Sequence, residues 1–244
     1  MSLPHHVIIL GCGRSGTSIF GELFEHLTPY RYYSEPPFAD LLTYDHGSPV
    51  AVKVPKESTD FPPTPGLSFP LDKLLETVPA PRRLYWQVRH PLDTICSLRV
   101  GIAQGWDHHP RPPDWQAWLS RSLLERCAYH WSYLNSVGFA SVADQATVTR
   151  FEDMITDPLS FAQRISQEVG LEVVHHHTSL VRWSQRVQNT NNGQFVEAKT
   201  SQAYSRDDHT VRVNRWKENL SQEEIEQITP LVEVTARRIG YTTF

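Results

Sequence analysis

Only three cysteines, Cys12, Cys96 and Cys127, are scattered through 244 residues. They are too few, at the wrong spacings, for a disulfide framework or a cysteine-based zinc site. No apolar run reaches the ~18 residues of a membrane-spanning helix, and the opening MSLPHH enters a strand pattern without the apolar stretch of a signal peptide. An excess of one charge is lacking too: 23 basic side chains oppose 27 acidic ones, a formal net charge of −4. Nucleic acid or an anionic membrane calls for a basic field that this chain does not have. Any anion must therefore be held by a local cluster. There is no internal repeat and no low-complexity tract. The expected organisation is one domain over residues 1–244, in a reducing cytoplasm.

What is present is an alternation of strand and helix patterns. Val7–Leu10 reads as a buried strand and Ser15–Leu27 as a helix with Ile19, Leu23, Phe24 and Leu27 on one face. Further strands are expected at Tyr30–Glu35, Val50–Val54, Arg83–Val88 and Val148–Phe151, with a proline-rich loop over residues 58–70. Pro91 suits the first position of a helix carrying Ile95, Leu98 and Ile102. A long helical pattern runs from Trp115 to about Ser136. Asp157-Pro158 opens a helix that Gly170 ends, residues 185–210 read as irregular, and a capping box at Ser221 starts a last helix reaching Arg238. This order predicts a three-layer α/β fold of the P-loop NTPase type, a central parallel sheet with helices on both faces.

GCGRSGTS, residues 11–18, lies between the first strand and its helix. Its Gly11-to-Gly16 frame is that of a phosphate-binding loop, in which backbone N–H groups and a helix N-terminus point at one anion. Thr17 stands where the lysine of a Walker loop belongs, and the nearest cation is Arg14 inside the loop. From the frame alone, a glycine-rich turn without a ligand is the alternative. A second stretch, VRHPLDTICSLR (88–99), puts Arg89 at a strand end, on the rim where open α/β sheets bind ligands, and Ser97 two helical turns later.

Together these stretches resemble the sulfotransferases that use 3′-phosphoadenosine 5′-phosphosulfate (PAPS) and release adenosine 3′,5′-bisphosphate (PAP). The resemblance implies that Arg14, Ser15, Gly16, Thr17 and Ser18 hold the 5′-phosphosulfate, and Arg89 and Ser97 the 3′-phosphate. RFED (150–153) is similar to the family's R-Y-E-D strand end, and RWKENLS (215–221) to its late Trp-Lys loop, which brings in Trp216. Among Arg206, Arg212 and Arg215, one or two are expected to touch phosphate. A phosphosulfate needs no bridging metal, and the forked guanidinium of Arg14 suits its oxygens.

The Lys-x-His base of the soluble animal enzymes is missing, because Pro55 falls at the histidine position of VAVKVPKE. Glu35 in YRYYSEPPF occupies a strand end as in the tyrosylprotein and carbohydrate branch, where a glutamate is the base. Flanked by Tyr32, Tyr33 and Pro36, it is expected to be desolvated and its pKa raised. Lys53 matches the lysine that stabilises the bridging oxygen, with Lys56 as the alternative. The resemblance does not carry the acceptor across; a hydroxylated small molecule or sugar is the expectation.

Two other signals carry less. The histidines at 108–109 and 175–177 read as solvated runs rather than a zinc site, and the aromatic stripe Trp115, Trp118, Tyr129 and Trp131 as core. A P-loop kinase or NTPase, and a non-catalytic nucleotide-binding module, remain the competing readings.

Overall fold

The computed structural model describes residues 4–103, 105–189 and 213–242. Strand β1 (His6–Gly11) leads into α1 (Thr17–Glu25), β2 (Arg31–Ser34), the short α2 (Phe38–Leu41) and β3 (Val50–Lys53). Next come α3 (Leu71–Thr77), β4 (Arg82–Val88), α4 (Pro91–Ala103) and α5 (Leu123–Tyr133). β5 (Ala146–Arg150), α6 (Phe151–Thr156), α7 (Pro158–Glu168) and α8 (Val173–Asn189) follow. A short helix, Trp216–Asn219, and a long one, Gln222–Arg238, close the described chain.

The five strands form one sheet in the order β2-β3-β1-β4-β5, and every pairing is parallel. Alternation along each strand feeds two cores. Ile8, Leu10, Val50, Val52, Leu84 and Trp86 face one layer, with residues of α4, α5 and the final helix. Val7, Ile9, Ala51 and Tyr85 face the other, with α1, α7 and α8. Fully burying an aliphatic side chain stabilises by roughly 1.5–3 kcal/mol, so both layers contribute to holding the sheet. The expected three-layer α/β architecture is the one observed. Because β1 lies between β3 and β4, its carboxyl end opens at the point where strand order changes direction. There a crevice forms for a ligand.

Some elements differ from expectation for local reasons. The helical pattern from Trp115 is broken: residues 117–120 make a single 3₁₀ turn and α5 begins only at Leu123. Ser122 starts it, accepting the Glu125 N–H at 3.2 Å while Glu125 accepts the Ser122 N–H at 3.0 Å. This second capping box restarts the helix, and Trp118 is instead stacked on Tyr129 at 4.0 Å. Past Tyr133 the helix loosens into a π-turn over Leu134–Gly138. Phe151 opens α6 rather than ending β5. Residues 185–189, expected to be irregular, continue α8, held by the burial of Trp183 and Val187; the rest of that stretch, through 210, lies outside the described residues.

Candidate active site

The loop after β1 is shaped by two glycines. Gly11 has φ 151 and packs so closely on the Gln87 carbonyl of β4 that no side chain fits. Gly16, at φ 90, is the N-cap of α1 and lies under the Phe151 ring, again without room for a Cβ. α1 has no side-chain cap, so its first N–H groups are left for a ligand. The Ser15 hydroxyl is fully buried and has no hydrogen-bond partner among the described residues. A buried polar group in that state costs about 1–3 kcal/mol, which an oxyanion in the loop would relieve.

The two stretches expected to hold opposite ends of a nucleotide touch each other. Arg14, itself at φ 67, donates from Nε to Ser97 Oγ at 2.9 Å, and Arg89 Nη1 donates to the Arg14 carbonyl at 3.2 Å. Arg89 is buried, with its guanidinium 4.3 Å from the centroid of Phe151; burial lowers its pKa, opposed by the Asp93 carboxylate. Phe151 thus sits against both Gly16 and Arg89. The neighbouring Glu152 accepts the His90 N–H and the Tyr241 hydroxyl, each at 2.7 Å, so the RFED segment fastens the rim.

Asp93 is a further candidate that the sequence reading passed over. Fully buried on α4, it accepts the N–H of Asn214 at 2.8 Å and of Trp216 at 3.0 Å. That bond pair fixes the RWKENLS segment on the rim. Trp216 stacks on His90, centroids 5.8 Å apart and planes 9° from parallel, and Arg215 is buried, its charge felt at Arg89. The signal was present: Asp93 lies on α4, between Arg89 and Ser97 and one turn before Ser97. Arg206 and Arg212 lie outside the described residues.

On the other side of the loop, Lys53 Nζ is 2.5 Å from Glu35 Oε1 and 3.1 Å from Ser18 Oγ. Lys53 is buried at the end of β3, whereas the Glu35 side chain is 53% exposed. The expected desolvation of Glu35 is therefore not found. Tyr33 stacks on Tyr44 instead, and the carboxylate faces an open cavity and an ammonium. Glu35 (φ 49) and Val54 (φ 38) both hold left-handed backbone. Such strain is worth of order 1–3 kcal/mol per residue and clusters at functional sites.

Glu35 lines a cavity of about 420 Å³ together with Gly11, Gly13, Thr17, Pro55, Lys56 and Glu57. Asp107, His108 and His109 line it as well, with His109 Nδ1 3.8 Å from Glu57 Oε2. Contrary to expectation, His108 is half-buried rather than solvated: burial, with Arg14 nearby, pushes its pKa down to about 4. His175, by contrast, is 66% exposed beside Glu172. Trp115, Trp118, Tyr129 and Trp131 pack on the core. Among the described residues no cluster of three or more metal-ligating side chains occurs, and no helix is long and apolar enough to cross a membrane.

No protein-family profile matches the chain, and no curated protein does. Solved structures do. Mouse sulfotransferase SULT7A1 complexed with PAP aligns with a TM-score of 0.59 at 14% identity, over 96% of this chain and 84% of that one. The chain has the sulfotransferase fold. The sulfotransferase domain from the curacin biosynthetic pathway aligns over 100% of both chains, with a TM-score of 0.54 at 13% identity. Retinol dehydratase in complex with androsterone and inactive cofactor PAP gives 0.54 at 15% identity, over 100% of this chain and 84% of that one. The sulfotransferase fold puts the β1 loop, Arg14 and Arg89 together on the carboxyl rim of the sheet.

Proposed function

We propose that this protein is a one-domain PAPS-dependent sulfotransferase, moving a sulfuryl group to a hydroxyl of a small-molecule or carbohydrate acceptor. One observation carries the reading: the Lys53–Glu35–Ser18 cluster and the Arg14–Ser97–Arg89 cluster flank the same glycine loop. The first has the groups for proton removal and charge neutralisation, the second those for a doubly anionic nucleotide.

PAPS brings the sulfuryl group and a phosphate that leaves with the electrons of the broken S–O bond. The loop N–H groups, Ser15 and Arg14 hold the 5′ end, and Arg89, Ser97 and Arg215 the 3′-phosphate, with Trp216 held beside them. Glu35 accepts the proton of the acceptor hydroxyl as its oxygen attacks. Lys53 keeps the carboxylate aimed into the cavity and sets a positive charge next to Ser18, where the leaving oxygen becomes anionic. Lys53, not Lys56, is assigned this role because its ammonium is the one bonded to Glu35 and Ser18. The cavity walls carry Glu35, Lys56, Glu57, Asp107 and His109, which favours a polar, hydroxyl-bearing acceptor over a flat apolar one.

A kinase needs a lysine at position 17 and an acidic strand end for Mg²⁺; here Thr17 and Arg89 stand there. Thermal unfolding separates the readings. PAP without metal at ~100 times its dissociation constant should add about 2.7 kcal/mol of stability, and ATP with Mg²⁺ should add less. The reverse ranking would sink the proposal.

A further inference from the structure

The loop after α4 turns back onto the phosphate loop and presses one histidine against it. A Cβ added to Gly13 would lie 3.2 Å from His108 Nδ1, so the imidazole occupies the space that a side chain at position 13 would need. The ring also meets that of His130, centroids 5.8 Å apart. His130 is fully buried, and its Nδ1 accepts from Trp106 Nε1 at 3.2 Å. Trp106 is buried at φ 62, a left-handed backbone that a bulky residue adopts only where its surroundings enforce it. Its carbonyl accepts from Arg111 Nε at 2.8 Å. This chain of contacts holds His108 on the cavity wall facing the anion loop.

The charged groups around His108 come from every element packed on it. Arg14 approaches from the phosphate loop, Glu35 from the end of β2, and Asp107 and His109 from its own loop. His130 adjoins it from α5, Lys56 and Glu57 line the same cavity, and Glu57 Oε2 is 3.8 Å from His109 Nδ1. Burial and the Arg14 cation keep the imidazole neutral. An oxyanion in the loop changes both terms: it pairs with Arg14 and puts negative charge beside the ring, which favours the protonated form.

We infer that His108 is an anion-contacting residue of the donor site, whose imidazole takes up a proton from solvent when the sulfonate or phosphate end of the donor occupies the Gly11–Thr17 loop. The imidazolium then faces the bound anion as a charge-assisted hydrogen-bond donor, in the cavity that Glu35 also lines. This rests on the donor reading above and adds a residue and a proton to it.

PAP is the probe, and no acceptor is needed. Calorimetric titration near pH 5.5, in two buffers of different protonation enthalpy, counts the protons taken up on binding. The wild type should take up more than His108→Asn, whose value corrects for the titration of PAP itself. Between pH 7.5 and pH 5 the wild type should gain roughly tenfold more PAP affinity than the variant, the linkage expected when a group's pKa rises by about two units. Equal proton counts and parallel affinity profiles overturn the inference while leaving the donor reading intact; absence of PAP binding to the wild type overturns both. Should His108→Asn misfold, ring ¹⁵N spectra of the wild type decide, assigned with His108→Gln. Its His108 signal should change from the neutral to the doubly protonated pattern on adding PAP near pH 5.5, and an unchanged signal counts against the assignment.

Discussion

Arg14 Nε and Ser97 Oγ are 2.9 Å apart although 83 residues separate them in the chain. The bond joins the β1 loop to α4, so the guanidinium proposed for the 5′ group is held by the hydroxyl proposed for the 3′ group. Such coupling is read by a double-mutant cycle. Arg14→Ala should weaken PAP binding by about 1.5–3 kcal/mol, the worth of a charge-assisted bond. Ser97→Ala should cost less, and the double variant less than the sum. Additive losses, measured by calorimetry, would mean that the two residues act independently.

Asp93 joins the same site to the late segment. Its carboxylate takes two backbone N–H groups while fully buried. Asparagine at this position would turn an NH₂ donor toward one of them and leave an N–H unsatisfied, at a cost of about 1–3 kcal/mol. Asp93→Asn should therefore lower stability in denaturant titration by roughly that amount and weaken PAP binding through Arg215 and Trp216. Unchanged stability and affinity would show that the segment is held otherwise.

Most of the rim was readable in the sequence because each part carries local chemistry. The glycines at 11 and 16 are dictated by backbone shape, and Arg14, Arg89 and Ser97 stand at fixed offsets from strand ends. What was not readable is what depends on contacts far apart in the chain. Ion pairing and exposure of Glu35, rather than burial, follow from where Lys53 lands across β2 and β3. The seating of His108 follows from the return of the loop after α4, which no local pattern announces. The same holds for Trp115–Ser122, where a helical period was outweighed by a capping box and by stacking of Trp118 on Tyr129.

Glu35 and Lys53 differ in what they predict for binding, although turnover should fall in both variants. Glu35→Gln keeps the shape and removes the proton acceptor, so turnover should fall by on the order of 10²–10⁴ with PAP affinity retained. Lys53→Met removes a buried cation next to the loop; both turnover and PAP affinity should fall. Unaltered turnover in Glu35→Gln, once an acceptor is in hand, would assign the base elsewhere.

Acid stability tests the surroundings of His108 without any ligand. In the unfolded chain a histidine titrates near its ordinary value of about 6.5, whereas folding lowers the His108 pKa to about 4 and that of the fully buried His130 well below its ordinary value. Between these limits the unfolded state binds more protons, so stability must fall as pH drops from about 6.5 toward 4. For His108 alone the loss amounts to about 3 kcal/mol at its limit, at 1.36 kcal/mol per pKa unit. His108→Asn should flatten this part of the profile of unfolding free energy against pH, and the wild type should regain stability on the acid side when PAP is added. A variant whose acid limb matches the wild type would show that the His108 imidazole is already solvated and free to ionise, which the packing against Gly13 contradicts.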